Sequence, residues 1–224
     1  MSGVVVALWG GVIGLDETSF AQLMLSRPLL AGGLTGLLFG RPVAGMTIGL
    51  LLEAFALVIL PIGAARYPEA GTATVAATAA YVETAGPTLD PGLALLAVVF
   101  ALVWEWLAGA SVTGMRRVNE WLTALPAGAP AARARALERR HLAAVGLDFV
   151  RAAVVTVTGF GVASVLLRAF GSPWPLGPQL TRGLLTVAAT AMLGAALPVF
   201  GGWVERRLPF LVGILCGSLL LLLR

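Results

Sequence analysis

Apolar residues occur along the chain in eight stretches that are separated by short polar or proline-containing breaks. The stretches cover residues 3–24, 29–40, 43–65, 70–85, 92–113, 143–169, 179–199 and 208–223. About twenty helical residues span the ~30 Å of a bilayer core at ~1.5 Å per residue, so several stretches are long enough to cross a membrane. Because period-two alternation is not sustained over many segments, the pattern favours helices over strands. It predicts an all-α, polytopic membrane protein with about six to eight membrane segments.

Some of these segments are too short to span a bilayer unaided. Residues 29–40 would measure about 18 Å as a helix. Arg27-Pro28 precedes the stretch and Arg41-Pro42 follows it, so charges and helix-breaking residues mark both ends. The pattern fits either a short tilted helix or one arm of a re-entrant hairpin.

Glu53 is the only ionisable residue between Met46 and Ala65, a run that we interpret as a membrane-spanning helix of twenty residues. A charge at mid-helix costs roughly 2.5–3.5 kcal/mol on insertion scales, and such groups usually face a cavity, a partner or a substrate. Pro61 and Gly63 follow about two turns later. They either break the helix and free backbone groups for a ligand, or simply end it at the membrane face.

The stretch from Ala70 to Thr84 consists mainly of alanine, threonine and glycine. Small residues allow helices to approach closely, and threonine hydroxyls form hydrogen bonds across helix interfaces. Lipid-facing helices are not built in this way. We therefore predict that this segment is buried within the protein.

Composition supports the membrane assignment and limits the alternatives. Of the 224 residues, 58% are hydrophobic and 12% are charged, whereas a soluble domain carries about 25% charged residues. The mean hydropathy is +0.93. The net charge of +4 does not indicate nucleic-acid binding, because the arginines lie at segment ends and in one loop. We expect a single membrane domain, with a first helical half at 1–113, a basic loop at 114–142 and a second half at 143–224.

The basic loop has two interpretations. Its arginines place it on the cytoplasmic side by the positive-inside rule, and residues 131–142 resemble a short amphipathic helix. It is either a plain topology-setting loop or a docking surface for a cytoplasmic partner. The residues predicted to dock a partner are Arg133, Arg135, Arg139 and Arg140.

The sequence offers no set of reactive residues. His141 is the only histidine and lies in the basic loop, and Cys216 is the only cysteine. There is no glycine-rich phosphate loop, no HExxH motif and no Cys-x-x-Cys pair. We therefore predict no catalytic residue, no metal site and no cofactor in this chain.

One family shares a specific pattern with the first third of the chain. The residues that carry it are, in chain order, Arg27-Pro28-Leu29-Leu30, Gly40, Gly45, Gly49, Leu52-Glu53, Pro61-Ile62-Gly63-Ala64-Ala65 and Pro68-Glu69. The chain thus resembles the membrane subunit IIC of the mannose/fructose/sorbose family of the bacterial phosphoenolpyruvate-dependent sugar phosphotransferase system. The likeness continues more loosely to Leu208-Pro209-Phe210 near the end.

The resemblance implies a permease subunit in the bacterial cytoplasmic (inner) membrane, crossing it several times and surrounded by lipid. Such a subunit passes a hexose or related sugar inward, pairs with a IID membrane subunit and assembles as a trimer of pairs. Phosphoryl groups come from separate IIA and IIB proteins. The chain departs from the family pattern at two places, at Arg66 and in the arginine-rich loop. The alternative is an orphan permease or a substrate-capture subunit that is not coupled to phosphorylation.

The resemblance also assigns two acidic residues to the sugar-binding region, Glu53 and Glu69. A carboxylate suits this role because it accepts charge-assisted hydrogen bonds from adjacent hydroxyls. Thr72 and Thr74 would add further polar contacts. The predicted substrate-binding residues are therefore Glu53, Glu69, Thr72 and Thr74.

Glu53 has a structural alternative as well. It could pair with Arg66 or Arg27 to hold the fold, or remain protonated because burial disfavours its charged form.

Overall fold

The computed structural model describes residues 2–59, 67–124, 130–171 and 174–222. All regular secondary structure in these ranges is helical, which confirms the predicted all-α class. The helices are α1 (Ser2–Thr18), α2 (Pro28–Leu38), α3 (Pro42–Ala56), α4 (Ala70–Thr84), α5 (Pro91–Thr123), α6 (Pro130–Gly171), α7 (Pro178–Ala196) and α8 (Gly202–Leu222), with a 3₁₀ turn at Leu197–Phe200.

Three of the described helical segments are long and apolar enough to cross a membrane. They are Pro91–Thr123, Ala134–Gly171 and Pro178–Phe200. Helices α2, α3, α5 and α7 each begin with proline, whose missing N–H costs nothing in the first turn of a helix. The proline-marked breaks in the sequence are therefore the real starts of these helices.

Helices α2 and α3 form a tight hairpin whose two members meet through glycine. A Cβ atom at Gly32 would lie 2.7 Å from the Cα of Gly49, and one at Gly36 would lie 2.7 Å from the Cα of Gly45. Glycine is required at these positions because the two backbones touch with no side chain between them. The arms of 11 and 15 residues measure about 16 and 22 Å, too short for either to span a bilayer core.

The prediction of one helix from Met46 to Ala65 is wrong. Helix α3 ends at Ala56 and is followed by a turn, so Glu53 lies in its last turn rather than at mid-span. The predicted break at Pro61 and Gly63 lies outside the described residues.

Helix α4 occupies the centre of the bundle, as its composition predicted. Residues 71–82 are all buried, and the helix packs against α1, α2, α3, α5 and α6. Its alanine and glycine positions let five neighbours approach. The burial of the threonine-rich segment is confirmed.

Helices α5 and α6 run antiparallel and extend beyond their apolar portions. Gly171 lies against Leu93 and Gly159 against Trp104, which fixes the direction of packing. The stretch predicted as a polar loop is mostly helical, because α5 continues to Thr123 and α6 begins at Pro130. The short helix expected at 131–142 is thus the start of a 42-residue helix.

Helices α7 and α8 lie at the periphery. Helix α7 contacts α3 and α5, and α8 packs mainly on the 3₁₀ turn. Trp203, Val204 and Leu208 of α8 are half or more exposed. The bundle that positions the candidate site therefore consists of α1 to α6.

Candidate functional site

Charged side chains from five helices converge where α1 ends. The C-terminal ends of α1 and α3 meet the N-terminal ends of α2 and α4 there, next to the middle of α6. Hydrogen bonds between these elements join residues that are 24 to 130 positions apart in the chain. Tertiary packing, and not local sequence, assembles the cluster.

Asp16 organises the loop that leaves α1. Its Oδ1 accepts a hydrogen bond from the Leu23 amide at 2.6 Å, and its Oδ2 accepts one from the Ser26 amide at 2.8 Å. Three non-glycine residues of this loop have positive φ angles: Ala21 (69°), Gln22 (50°) and Met24 (64°). Each such residue costs of order 1–3 kcal/mol, and strain of this kind concentrates at functional sites. The buried Asp16 carboxylate holds the loop in this conformation.

Glu17 caps helix α4. Its two carboxylate oxygens accept hydrogen bonds from the amides of Ala70 (3.1 Å) and Gly71 (3.0 Å). A negative charge is favourable at a helix N-terminus, where amide groups lack partners within the helix. A Cβ atom at position 71 would lie 2.8 Å from the Glu17 Oε2, so Gly71 allows this close approach.

Glu53 pairs with Arg27, the structural alternative that the sequence left open. The Arg27 Nε donates to Glu53 Oε1 at 2.9 Å, and a terminal nitrogen of the same guanidinium contacts the same oxygen. The other carboxylate oxygen accepts from the Leu29 amide at 3.1 Å and so caps α2. The second candidate partner, Arg66, lies outside the described residues. The pair fixes the Arg27 side chain at the base of the hairpin.

Glu69 forms a buried ion pair with Arg151 of α6. The two terminal nitrogens of Arg151 donate to the two Glu69 oxygens at 2.8 and 2.9 Å, a bidentate arrangement. The Arg151 Nε donates to Asp148 at 2.6 Å, and one terminal nitrogen also reaches the Ser111 hydroxyl at 2.9 Å. Asp148 in turn accepts from the Thr18 hydroxyl at 2.7 Å. The network joins α1, α5, α6 and the start of α4.

A cavity of about 400 Å³ opens between these elements. This volume lies in the range of small-molecule sites, about 300–1,000 Å³. Its wall consists of Asp16, Glu17, Gln22, Met24, Ser26, Arg27, Pro28, Ala56, Ile59, Tyr67, Pro68 and Ala70. The wall thus combines two carboxylates, a guanidinium, an amide, a hydroxyl and an aromatic ring, as a ligand rich in hydroxyl groups requires.

The predicted substrate-binding residues lie around this cavity rather than on its wall. Glu53 is behind Arg27, and Glu69 follows the wall residues Tyr67 and Pro68 in the chain. The Glu69 side chain is fully buried, and each of its oxygens accepts a hydrogen bond from Arg151. The Thr72 and Thr74 side chains are buried within α4 and donate to backbone carbonyls of the preceding turn at 3.5 and 2.7 Å. Their roles in substrate binding stay predictions.

Four charged residues of the site were not singled out from sequence. Asp16 and Glu17 are adjacent acids near the end of the first apolar stretch, and Asp148 and Arg151 have opposite charges one helical turn apart within the sixth. Ionisable residues inside predicted membrane segments usually mark function or pairing. This signal was present in the sequence, although the pairing of distant residues was not.

The predicted docking arginines have different environments. Arg135 and Arg139 are exposed on the first turns of α6. Arg140 donates to the carbonyl oxygens of Leu122 (3.1 Å) and Ala124 (2.8 Å), and thereby caps the end of α5. Arg133 belongs to α6, but its side chain lies outside the described part of the structure. A docking role for this group stays a prediction.

Comparisons with known proteins agree with the resemblance seen in the sequence. The family model described as "PTS system sorbose-specific iic component" matches residues 1–204. Two proteins named "PTS system sorbose-specific EIIC component" are similar. The one from Lacticaseibacillus casei is 26% identical over 201 residues, which cover 90% of this chain and 65% of that protein. The one from Klebsiella pneumoniae is 28% identical over 207 residues, which cover 89% of this chain and 73% of that protein.

A solved structure titled "Structure of membrane protein" shares the fold. Its TM-score is 0.64 at 19% sequence identity, and the match covers 99% of this chain and 94% of the other. The chain spans about two thirds of the length of the Lacticaseibacillus casei relative.

Proposed function

Because the chain belongs to the family of sorbose-specific IIC components of the sugar phosphotransferase system, we propose that it is a sugar-translocating permease subunit. It passes a hexose or related sugar inward, where a IIB protein phosphorylates the sugar. The cavity beside Asp16 and Glu17 receives the sugar, and this cavity is the observation that supports the proposal most directly.

The two carboxylates on the cavity wall retain capacity for a ligand. An ionised carboxylate has about four lone-pair sites. Asp16 and Glu17 each use two of theirs on backbone amides, which leaves about two on each for sugar hydroxyls. Arg27 and Gln22 supply donors on the same wall. Polar groups whose orientation is already fixed lose less entropy when the sugar binds.

Glu53 acts in this proposal by holding Arg27 in place. Glu69 belongs to the same region but is closed off by Arg151 in the described conformation. Its predicted contact with the sugar, and those of Thr72 and Thr74, would require the ion pair to open and α4 to move. The described geometry therefore favours Asp16, Glu17 and Arg27 as the residues that meet the sugar first.

The partners and location are proposed by analogy with the family. We propose a multi-pass protein of the bacterial inner membrane that pairs with a IID subunit in a trimeric assembly. IIB docks at the exposed arginines near the start of α6. The alternative is a permease or capture subunit that binds sugar without coupling to phosphorylation.

A binding screen tests the assignment of the cavity. Purified protein in detergent is titrated with hexoses, amino sugars and ketoses, and the best sugar is then titrated into Asp16→Asn, Glu17→Gln and Glu53→Gln. Losing one charge-assisted hydrogen bond costs about 1.5–3 kcal/mol, so the first two variants should bind at least tenfold more weakly. Glu53→Gln should lose less, because it acts through Arg27.

Asp90→Asn is the matched control. Asp90 also accepts two backbone amides at a helix start, but it lies at the other end of the bundle. Wild-type affinity in Asp16→Asn and Glu17→Gln would refute the cavity as the sugar site.

A pull-down with IIB distinguishes a permease that is coupled to phosphorylation from one that is not. Arg135→Glu/Arg139→Glu leaves the α5 cap at Arg140 intact and should abolish capture of IIB. If wild-type protein binds sugar but captures no IIB, the result favours the uncoupled permease.

A further inference from the structure

A second cavity, of about 410 Å³, lies on the outer face of α5. Its wall consists of Tyr67, Trp106, Gly109, Ala110, Thr113, Gly114 and Arg117. Two small residues, Ala110 and Gly114, line the groove and leave space beside α5. A Cβ atom at Gly114 would meet nothing within 4 Å.

Two arginines bring positive charge to the groove. Arg117 is exposed and makes no hydrogen bond or ion pair within the described residues. The Arg116 guanidinium lies 5.6 Å from the centroid of the Tyr67 ring, which brings a second cation to the same edge. None of the described residues of the wall is acidic. The site therefore favours an anion.

The groove also lies where the apolar part of α5 ends. Trp106 on its wall and the neighbouring Val103 and Leu107 are 57–60% exposed, as expected for a helix surface that faces lipid. Arg116 and Arg117 follow within three turns. Tryptophan and arginine both concentrate at the boundary between hydrocarbon and headgroups. One end of the groove is apolar and the other is cationic.

We propose that this groove binds an anionic phospholipid. The headgroup phosphate lies against Arg117, and an acyl chain runs over Ala110 and Gly114 beside Trp106. A guanidinium suits phosphate because its planar set of N–H donors matches the phosphate oxygens. A sugar fits this wall poorly, because none of the described wall residues offers a carboxylate that could accept hydrogen bonds from sugar hydroxyls. This inference does not depend on the proposed transport function.

Native mass spectrometry of the purified full-length protein tests the proposal, with phosphatidylglycerol and phosphatidylcholine added separately. Wild-type protein should retain phosphatidylglycerol preferentially. Arg117→Gln should weaken that binding about fivefold, since one arginine near a membrane surface contributes about that factor. Gly114→Leu should displace both lipids, because its Cβ has open space and the larger side chain would occupy the groove.

Two matched controls separate this site from general effects. Arg168→Gln removes another exposed arginine from a spanning helix, and Gly146→Leu fills another open glycine position on α6. Both should bind lipid like the wild type. Equal retention of the two lipids by wild-type protein, or unchanged phosphatidylglycerol binding in both groove variants, would overturn the proposal.

Two further outcomes would assign the groove to another occupant. Displacement of phosphatidylglycerol by millimolar inorganic phosphate alone would show that a free anion is the ligand. A changed oligomeric state in Gly114→Leu with unchanged lipid binding would show that a second copy of the chain occupies the groove.

Discussion

Arg151 connects three helices through a single side chain. Its guanidinium binds the Glu69 carboxylate at the start of α4, Asp148 on its own helix and the Ser111 hydroxyl on α5. The Glu69 side chain is fully buried and that of Arg151 is 10% exposed. A buried ion pair of this kind adds little net stability compared with apolar residues of the same shape. Removing only one partner, however, strongly destabilises the fold, because the other charge stays buried without compensation.

We expect Arg151→Met to destabilise the protein by about 3–5 kcal/mol, because it leaves two buried carboxylates without their cation. Thermal unfolding in detergent measures the effect. Arg168→Met, on an exposed face of the same helix, is the control and should unfold like the wild type. Adding Glu69→Gln should restore part of the loss. A wild-type melting temperature for Arg151→Met would contradict the role of the pair.

Sequence reasoning found Glu53 and Glu69, and it named Arg27 and Arg66 as possible partners of Glu53, but it found no partner for Glu69. Arg27 lies 26 residues before Glu53, and Arg151 lies 82 residues after Glu69. Periodicity and composition report only on local neighbours, whereas these pairs form when helices pack. Glu53 stood out because its flanks are apolar. The Asp16–Glu17 pair did not, since it lies at the end of an apolar stretch where charges are common.

At the scale of elements, the α2–α3 hairpin depends on direct contact between backbones. Gly32→Ala places a methyl group against Gly49 and should push the helices apart, at a cost of about 1–3 kcal/mol. Gly33→Ala is the matched control. The added Cβ there would lie 3.2 Å from Met46 Cγ, part of a flexible side chain.

Gly33→Ala should therefore be neutral or slightly stabilising, because alanine favours helix over glycine by up to about 1 kcal/mol. Thermal unfolding of the two variants side by side measures the difference. Equal melting temperatures would mean that the hairpin tolerates separation of its arms.

The start of α5 is stabilised by its N-cap. Asp90 accepts hydrogen bonds from the amides of Gly92 (2.8 Å) and Leu93 (3.1 Å). Asp90→Ala should cost about 0.5–2 kcal/mol, whereas Asp90→Ser retains an acceptor and should cost less. Hydrogen exchange in the first turn of α5 should rise in the alanine variant only. Similar exchange in both variants would argue against the cap.

Helix starts were more predictable than helix ends. Proline at the first helical position marks α2, α3, α5 and α7 in the sequence. The extension of α5 to Thr123 was not predictable from hydropathy, because its polar turns look like a loop. Residues 131–142 were predicted as a short helix, but hydropathy did not show that this helix continues into the sixth apolar stretch. Tertiary contacts stabilise these polar turns, such as the hydrogen bonds from Arg140 to the carbonyl groups at the end of α5.

At the scale of the whole molecule, α8 is separate from the bundle that builds the site. It packs mainly on the 3₁₀ turn, and its apolar residues are largely exposed. We expect a chain shortened after Gly201 to keep its sugar affinity and a melting temperature within about 4 °C of the full-length value. A larger fall, or lost sugar binding, would show that α8 supports the bundle.

If α8 and α7 form the surface for a IID subunit, the shortened chain should no longer co-purify with it. The variant thus tests assembly while the sugar titration confirms that the bundle is folded. Retained co-purification would place the partner surface elsewhere.

The buried pair between Glu69 and Arg151 also has a consequence for biosynthesis. The ribosome makes Arg151 82 residues after Glu69, which at about 5–20 residues per second takes roughly 4–16 s. During that interval the Glu69 carboxylate lacks the Arg151 cation, and α4 lacks α6, one of the helices that cover it. Helix α6, by contrast, carries its own neutralising Asp148 when it enters the bilayer. We therefore expect the bundle to close around α4 only after α6 has been made, so that the buried carboxylate meets its cation late in synthesis.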